Sequence, residues 1–165
     1  MYIFLDLDGV LVKEDLPGAT IDPDTDPENI FKFHVECRNY FEEVVLRYVH
    51  AKIVITSAWL EICTIDVVKS CFSKAVADRV MGATPRQRGA VKYFRHLEVL
   101  DYIEQNHLGN IPWVAIDDIA KHYPPTVPII VTDPYRGFDL INAEQLDYFL
   151  RTGTLANGSD SFTYQ

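Results

Sequence analysis

Short unbroken apolar runs take turns along the chain with longer stretches in which apolar residues recur every three or four positions. The first run, Tyr2-Ile3-Phe4-Leu5, leads into Asp6-Leu7-Asp8-Gly9 and reads as a buried strand of the parallel type. Similar runs predict strands over residues 51–59, 111–118 and 127–132, with a further short strand or turn at Val80-Met81. Between them lie helical patterns. Asp26-Pro27-Glu28 carries a capping side chain, a proline for the first helical position and an acid for the first turn, so it predicts a helix start. The stripe Ile30, Phe33, Cys37, Phe41, Val44, Tyr48 carries that helix to about His50. Another helix is predicted over residues 60–77, and Gly82-Ala83-Thr84-Pro85 then breaks the chain. A helix beginning in the basic stretch from Arg86 to Arg95 is expected to continue through Ile103 and stop at Gly109. A closing helix is predicted over residues 142–150. This order of elements predicts an α/β fold around a parallel sheet.

With 165 residues one domain is expected, spanning residues 1–151, followed by a tail over 152–165 that is poor in apolar residues and expected to be disordered. A content of 48% hydrophobic and 24% charged residues suits a chain that buries a core. The net charge of −9 disfavours general attraction to nucleic acid, although a local basic patch can override it. Cys37, Cys63 and Cys71 are too few and too irregular for a disulfide frame or a zinc site. No signal peptide and no bilayer-spanning run is seen, so a soluble, cytoplasmic protein without a membrane partner is expected.

The candidate chemistry collects at strand ends. Residues two apart in a strand point the same way, so Asp6 and Asp8 are expected to share a face at the carboxyl end of the first strand. Two such carboxylates need a cation, a proton or a substrate group to account for them. Thr56 and Ser57 end the second strand; hydroxyls there can donate to a phosphoryl oxygen or cap the following helix. Asp117 and Asp118 end the third strand, as a pair suited to a hard divalent cation. On a helix, Arg88, Lys92 and Arg95 would share a face, either as a solvated surface or with one member reaching a bound phosphate. Asp22, Asp24 and Asp26 alternate, but the glycine and glutamate of a calcium loop are missing, and residues 13–27 read as a solvated flap. Asp133-Pro134 reads as a turn, and His34 and His50 as structural or exposed.

The stretch Leu5 to Leu11 resembles the first motif of the haloacid dehalogenase-like (HAD) hydrolases, most of which are phosphatases. The whole chain is similar to a narrower group, the HAD domain of "Swiss army knife" RNA-repair proteins. The resemblance rests on the opening motif, Cys37, the Ala51-to-Trp59 strand, Gly82-to-Pro85, Arg95 with Glu98-Val99, Asp117-Asp118, Thr132-to-Pro134 and Gly137. The chain departs from that group at Leu60, at His96, and at Ile119-Ala120-Lys121, where further aspartates are usual. The resemblance implies a three-layer, Rossmann-like fold with helices on both faces of a central parallel sheet and no large cap. It implies Asp6 as nucleophile, Asp8 as general acid and base, and Thr56, with Ser57 as its rival, as the phosphate contact. Arg95 is the favoured basic residue, with Lys92 and Arg88 as alternatives, and Gly9 joins Ser57, Arg88 and Lys92 in substrate binding. Magnesium is expected on Asp6, the Asp8 backbone carbonyl and Asp117, with Asp118 as ligand or close partner. The expected reaction is hydrolysis of a phosphomonoester, with a nucleic-acid end or a nucleotide as substrate. The alternatives are a HAD-fold binding module without turnover and a phosphotransferase to an acceptor other than water.

Overall fold

In a computed structural model, which describes residues 1–14, 32–86 and 91–155, the chain forms a five-stranded, all-parallel sheet. In chain order its elements are β1 (Tyr2–Leu5), α1 (Val35–Arg47), β2 (Lys52–Ile55), a 3-10 turn (Ala58–Glu61), α2 (Ile65–Ser70), α3 (Lys74–Ala77), β3 (Val80–Ala83), α4 (Phe94–Gln105), β4 (Trp113–Asp117), a second 3-10 turn (Ala120–His122), β5 (Ile129–Val131) and α5 (Leu140–Thr152). The strand order is β3-β2-β1-β4-β5, with β1 in the middle. No large cap domain is inserted among the described residues.

Strand side chains alternate between the two faces, and the core divides accordingly. Ile3, Leu5, Ile53, Ile55, Val114, Ile116 and Ile130 pack with Phe41, Val44, Leu146 and Phe149 of α1 and α5, and with Val68 and Val76 of α2 and α3. Tyr2, Phe4, Val54 and Ala115 face the other way, against Val99 and Tyr102 of α4 and against Tyr123. The sheet is therefore covered on both sides, which is why its strands read as continuous apolar runs.

Several helix limits differ from the sequence pattern. Residues 32–34 are not helical, and α1 starts only at Val35. Phe33 is instead committed to the core, with its ring 4.7 Å from that of Phe72, and the His34 N–H donates to the Leu11 carbonyl at 2.7 Å. Those tertiary contacts override the local helix signal; the expected start at Asp26-Pro27-Glu28 and most of the flap lie outside the described residues. The single helix expected over residues 60–77 is split into a 3-10 turn, α2 and α3. Ser57 caps the first piece by accepting from the Trp59 N–H, and Thr64 caps the second by accepting from the Val67 N–H. Each such side chain offers the backbone an alternative to a continuous ladder.

The strand at Val80 runs on through Gly82 and Ala83, so the break comes later than expected. Helix α4 begins at Phe94, because Tyr93 before it is left-handed (φ 59°). It ends at Gln105 and not at Gly109, and His107 takes a left-handed turn before that glycine. The last helix starts before Asn142 through a capping box at Asp139, and Gly153 ends it in a left-handed conformation. Asp133 makes the expected turn, accepting from the N–H groups of Tyr135 and Arg136. Residues 156–165, in the part expected to be a disordered tail, lie outside the described residues.

Candidate active site

The strand register places a row of polar residues one step beyond the last apolar residue of four strands. Leu5 pairs with Ile55 and Ile116, and Ile55 pairs with Ala83. The ladder runs one residue further: Thr84 N–H donates to the Ile55 carbonyl, Thr56 N–H to the Leu5 carbonyl, and Asp6 N–H to the Ile116 carbonyl, at 2.9–3.0 Å. Across the sheet the row therefore reads Thr84, Thr56, Asp6, Asp117. Each member lies two residues after one that faces α4, namely Gly82, Val54, Phe4 and Ala115. All four consequently share the α4 face, and all are buried.

Asp6, Asp117 and Asp118 each offer a carboxylate oxygen within 4.8 Å of the others. Burial pushes Asp6 up to about 6, against the pull of Arg95 and of the Leu7 N–H, which donates to its Oδ1 at 2.8 Å. Asp117 is pushed up to about 7 by burial and then by the charge of Asp6. Its Oδ1 accepts from the Ile119 N–H at 2.8 Å and its Oδ2 from the Tyr123 hydroxyl at 3.2 Å. The Asp118 side chain lies against Gly9: a Cβ there would fall 2.6 Å from Asp118 Cγ, and Gly9 also holds φ at +67°. Only glycine meets both demands.

Arg95, in the first turn of α4, is 5% exposed, with Nη2 at 3.8 Å from Asp6 Oδ2 and Nη1 at 3.0 Å from Glu98 Oε2. Burial works against its charge, but Asp6, Glu98 and Asp117 outweigh it and raise the guanidinium's pKa. Besides His122 Nδ1, which lies 3.9 Å from Asp117 Oδ1, three buried polar atoms near this row have no hydrogen-bond partner among the described residues: Thr56 Oγ1, Thr84 Oγ1 and Arg95 Nε. Buried donors without partners are costly, and a bound oxyanion would satisfy them.

Asp8 departs from the expected shared face. The chain leaves the strand in a tight turn, where the Leu7 carbonyl accepts from the N–H groups of Val10, Leu11 and Val12, and Asp8 becomes exposed. Its Oδ1 accepts from Trp59 Nε1 at 2.7 Å, a hydrogen bond that fixes the carboxylate. Ser57 is buried, hydrogen-bonds the Asp6 carboxylate and caps the 3-10 turn. Lys92 precedes α4, is exposed, and lies 4.6 Å from the centre of the Tyr93 ring, so it does not share a helix face with Arg95. Arg88 lies outside the described residues. Three further residues stand at the site: Thr84 and Glu98, which carry the resemblance in Gly82-to-Pro85 and in Glu98-Val99 without an expected site role, and Tyr123, whose contact with Asp117 is tertiary.

Three converging carboxylates suit a hard divalent cation such as magnesium, and burial, joined at Asp117 by the charge of Asp6, raises the affinity of Asp6 and Asp117 for protons. A parallel sheet bearing this acid cluster at its carboxyl edge, with hydroxyls and an arginine beside it, defines a HAD-type α/β domain. The chain belongs to the family described as the HAD domain in Swiss Army Knife RNA repair proteins, which it matches over residues 2–143. That membership carries a phosphohydrolase type of function. No curated protein and no solved structure matches the chain.

Proposed function

We propose that this chain is a magnesium-dependent phosphohydrolase that cleaves a phosphomonoester through an aspartyl-phosphate. The observation that carries the reading is the in-register row itself: a buried carboxylate, Asp6, between an unpartnered hydroxyl, Thr56, and a second buried acid, Asp117, with Arg95 at 3.8 Å. Asp6, Asp117 and Asp118 would supply the donor set for magnesium, and the Asp8 backbone carbonyl would be a further protein ligand. Bound there, the ion would neutralise charge on the transferring phosphoryl group.

An Asp6 carboxylate oxygen attacks phosphorus, the ester bond breaks, and the leaving oxygen takes a proton from Asp8. Trp59 holds one Asp8 oxygen and leaves the other free for that proton. Asp8, now a carboxylate, takes a proton from water as it attacks the aspartyl-phosphate, which releases inorganic phosphate and restores Asp6. Thr56 and Arg95 donate to the phosphoryl oxygens, while Glu98 keeps the guanidinium oriented. Gly9 lets the backbone approach closely, and Ser57 holds the nucleophile.

The family description names RNA repair proteins, and for this chain we read a phosphate at a nucleic-acid end, or on a nucleotide, as the substrate. The absence of a large cap among the described residues favours a substrate that reaches in from a larger body. With a net charge of −9, the protein would engage the end and not a long stretch of backbone. No helix among the described residues is long and apolar enough to cross a membrane, and we place the activity in the cytoplasm.

The test is phosphate release with magnesium from p-nitrophenyl phosphate, mononucleotides and oligonucleotides phosphorylated at either end, with Asp6→Asn as blank. Release that disappears in the variant and in chelator is expected. Release that persists in Asp6→Asn would overturn the proposal.

A further inference from the structure

The row at the carboxyl edge does not end at the phosphate contact. Thr84 is 6% exposed, and its Oγ1 has no hydrogen-bond partner among the described residues. It is the in-register neighbour of Thr56 on the same face, one strand further from Asp6. Neighbouring strands lie about 4.8 Å apart. A phosphoryl group attacked by Asp6 would reach Thr56, and Thr84, two strands from the nucleophile, would face what the phosphoryl group is attached to.

The charges around Thr84 decide what that neighbour is. Arg86, two residues on, has Nη2 at 2.6 Å from Glu61 Oε1 and Nη1 at 3.7 Å from Glu98 Oε2. Arg95 faces Glu98 and Asp6. Arg86 is thus matched by two acids and Arg95 is turned to the phosphoryl site, so a second phosphate beside Thr84 would meet no further unpaired arginine among the described residues. An uncharged group that both donates and accepts fits a buried threonine hydroxyl. Resting on the phosphohydrolase reading, we propose that Thr84 binds a hydroxyl vicinal to the phosphate ester, so that the site selects monophosphates of vicinal diols over those of simple alcohols. Thr56 grips the phosphoryl group; Thr84 reads its neighbour.

The test compares adenosine 3′-monophosphate with 2′-deoxyadenosine 3′-monophosphate, which differ only in the vicinal hydroxyl. Binding to the Asp6→Asn chain is measured by calorimetry with magnesium, so it does not depend on turnover. The expected result is tighter binding of the hydroxylated ester by about fivefold or more, the worth of one hydrogen bond. That preference is expected to collapse when Thr84→Val is added and to return with Thr84→Ser. Thr84→Val alone should not lower Tm, because the hydroxyl has no protein partner among the described residues to lose. Equal binding of the two esters, a preference that survives Thr84→Val, or no binding of either would overturn the inference. So would a Tm several degrees lower, which would make the hydroxyl structural. If discrimination follows Thr84 while the wild-type chain releases no phosphate, the inference stands as ligand recognition and the catalytic reading falls.

Discussion

At the carboxyl edge of the sheet, β2 and β3 lead into uncharged hydroxyls, Thr56 and Thr84, while β1 and β4 lead to buried carboxylates, Asp6 and Asp117. Among the described residues the hydroxyl half has donors without acceptors, and the acid half has carboxylates whose charge burial disfavours. Neither half is satisfied by the other, although they are adjacent in one ladder. A phosphate needs donors and a divalent cation needs acids, so the two ligands together would complete the edge. The comparison teaches that the cost is carried on one face only. The face that packs on α1 and α5 is apolar, with Ile3, Leu5, Ile55 and Ile116 fully buried, and it supports the polar row opposite.

The acid half is broken most severely by Asp117→Asn. Loss of a ligand oxygen is expected to lower phosphate release by roughly three orders of magnitude and to abolish the rise in Tm on adding magnesium, as read by calorimetry. The link between the halves is Arg95. Arg95→Met removes the cation that faces Asp6, and kcat should fall by about a hundredfold, with magnesium affinity changed far less. A smaller effect is expected from Tyr123→Phe, which removes the donor to Asp117 Oδ2 and should weaken magnesium about tenfold in titration calorimetry.

The smallest effect is on stability without metal. Asp6 and Asp117 bind protons more tightly in the folded chain, at about 6 and about 7, than their ordinary value of 3.8. Between about pH 4 and 7 the folded state therefore holds more protons than the unfolded one, and stability falls as pH rises. Metal-free protein should show a lower Tm at pH 7.5 than at pH 5, and magnesium should narrow that gap. A Tm that rises over this range without metal would contradict the raised proton affinity of the two buried acids.

The site residues most legible in the sequence are those tied to a strand end. Asp6, Thr56, Asp117 and Asp118 each follow an apolar run, and a run that stops at a polar residue marks the sheet's edge. Arg95 is favoured over Lys92 and Arg88 by its spacing to Asp117 within the resemblance, while the helical spacing of the three puts all of them on one face. The left-handed Tyr93 moves Lys92 off that helix. Thr84 was hidden by its company: Gly-x-Thr-Pro has the composition of a turn, yet Gly82 lies inside β3 with Tyr102 of α4 beside it. The exposure of Asp8 depends on how tightly the chain turns after Leu7, which a two-residue periodicity does not express. Helix limits failed where side chains made a better local offer, as at Ser57 and Thr64, or where Phe33 was claimed by the core.

The central claim is that Asp6 takes the phosphoryl group onto itself. Asp8→Asn should slow the water step while leaving attack on p-nitrophenyl phosphate possible, since p-nitrophenolate leaves without a proton. The direct measurement is mass spectrometry of that variant, quenched in acid during turnover with magnesium. The account predicts one added phosphoryl group on the peptide that contains Asp6, absent when Asp6→Asn is also made. Phosphate release by the wild type with no such adduct in the quenched variant, or an adduct on another residue, would contradict it.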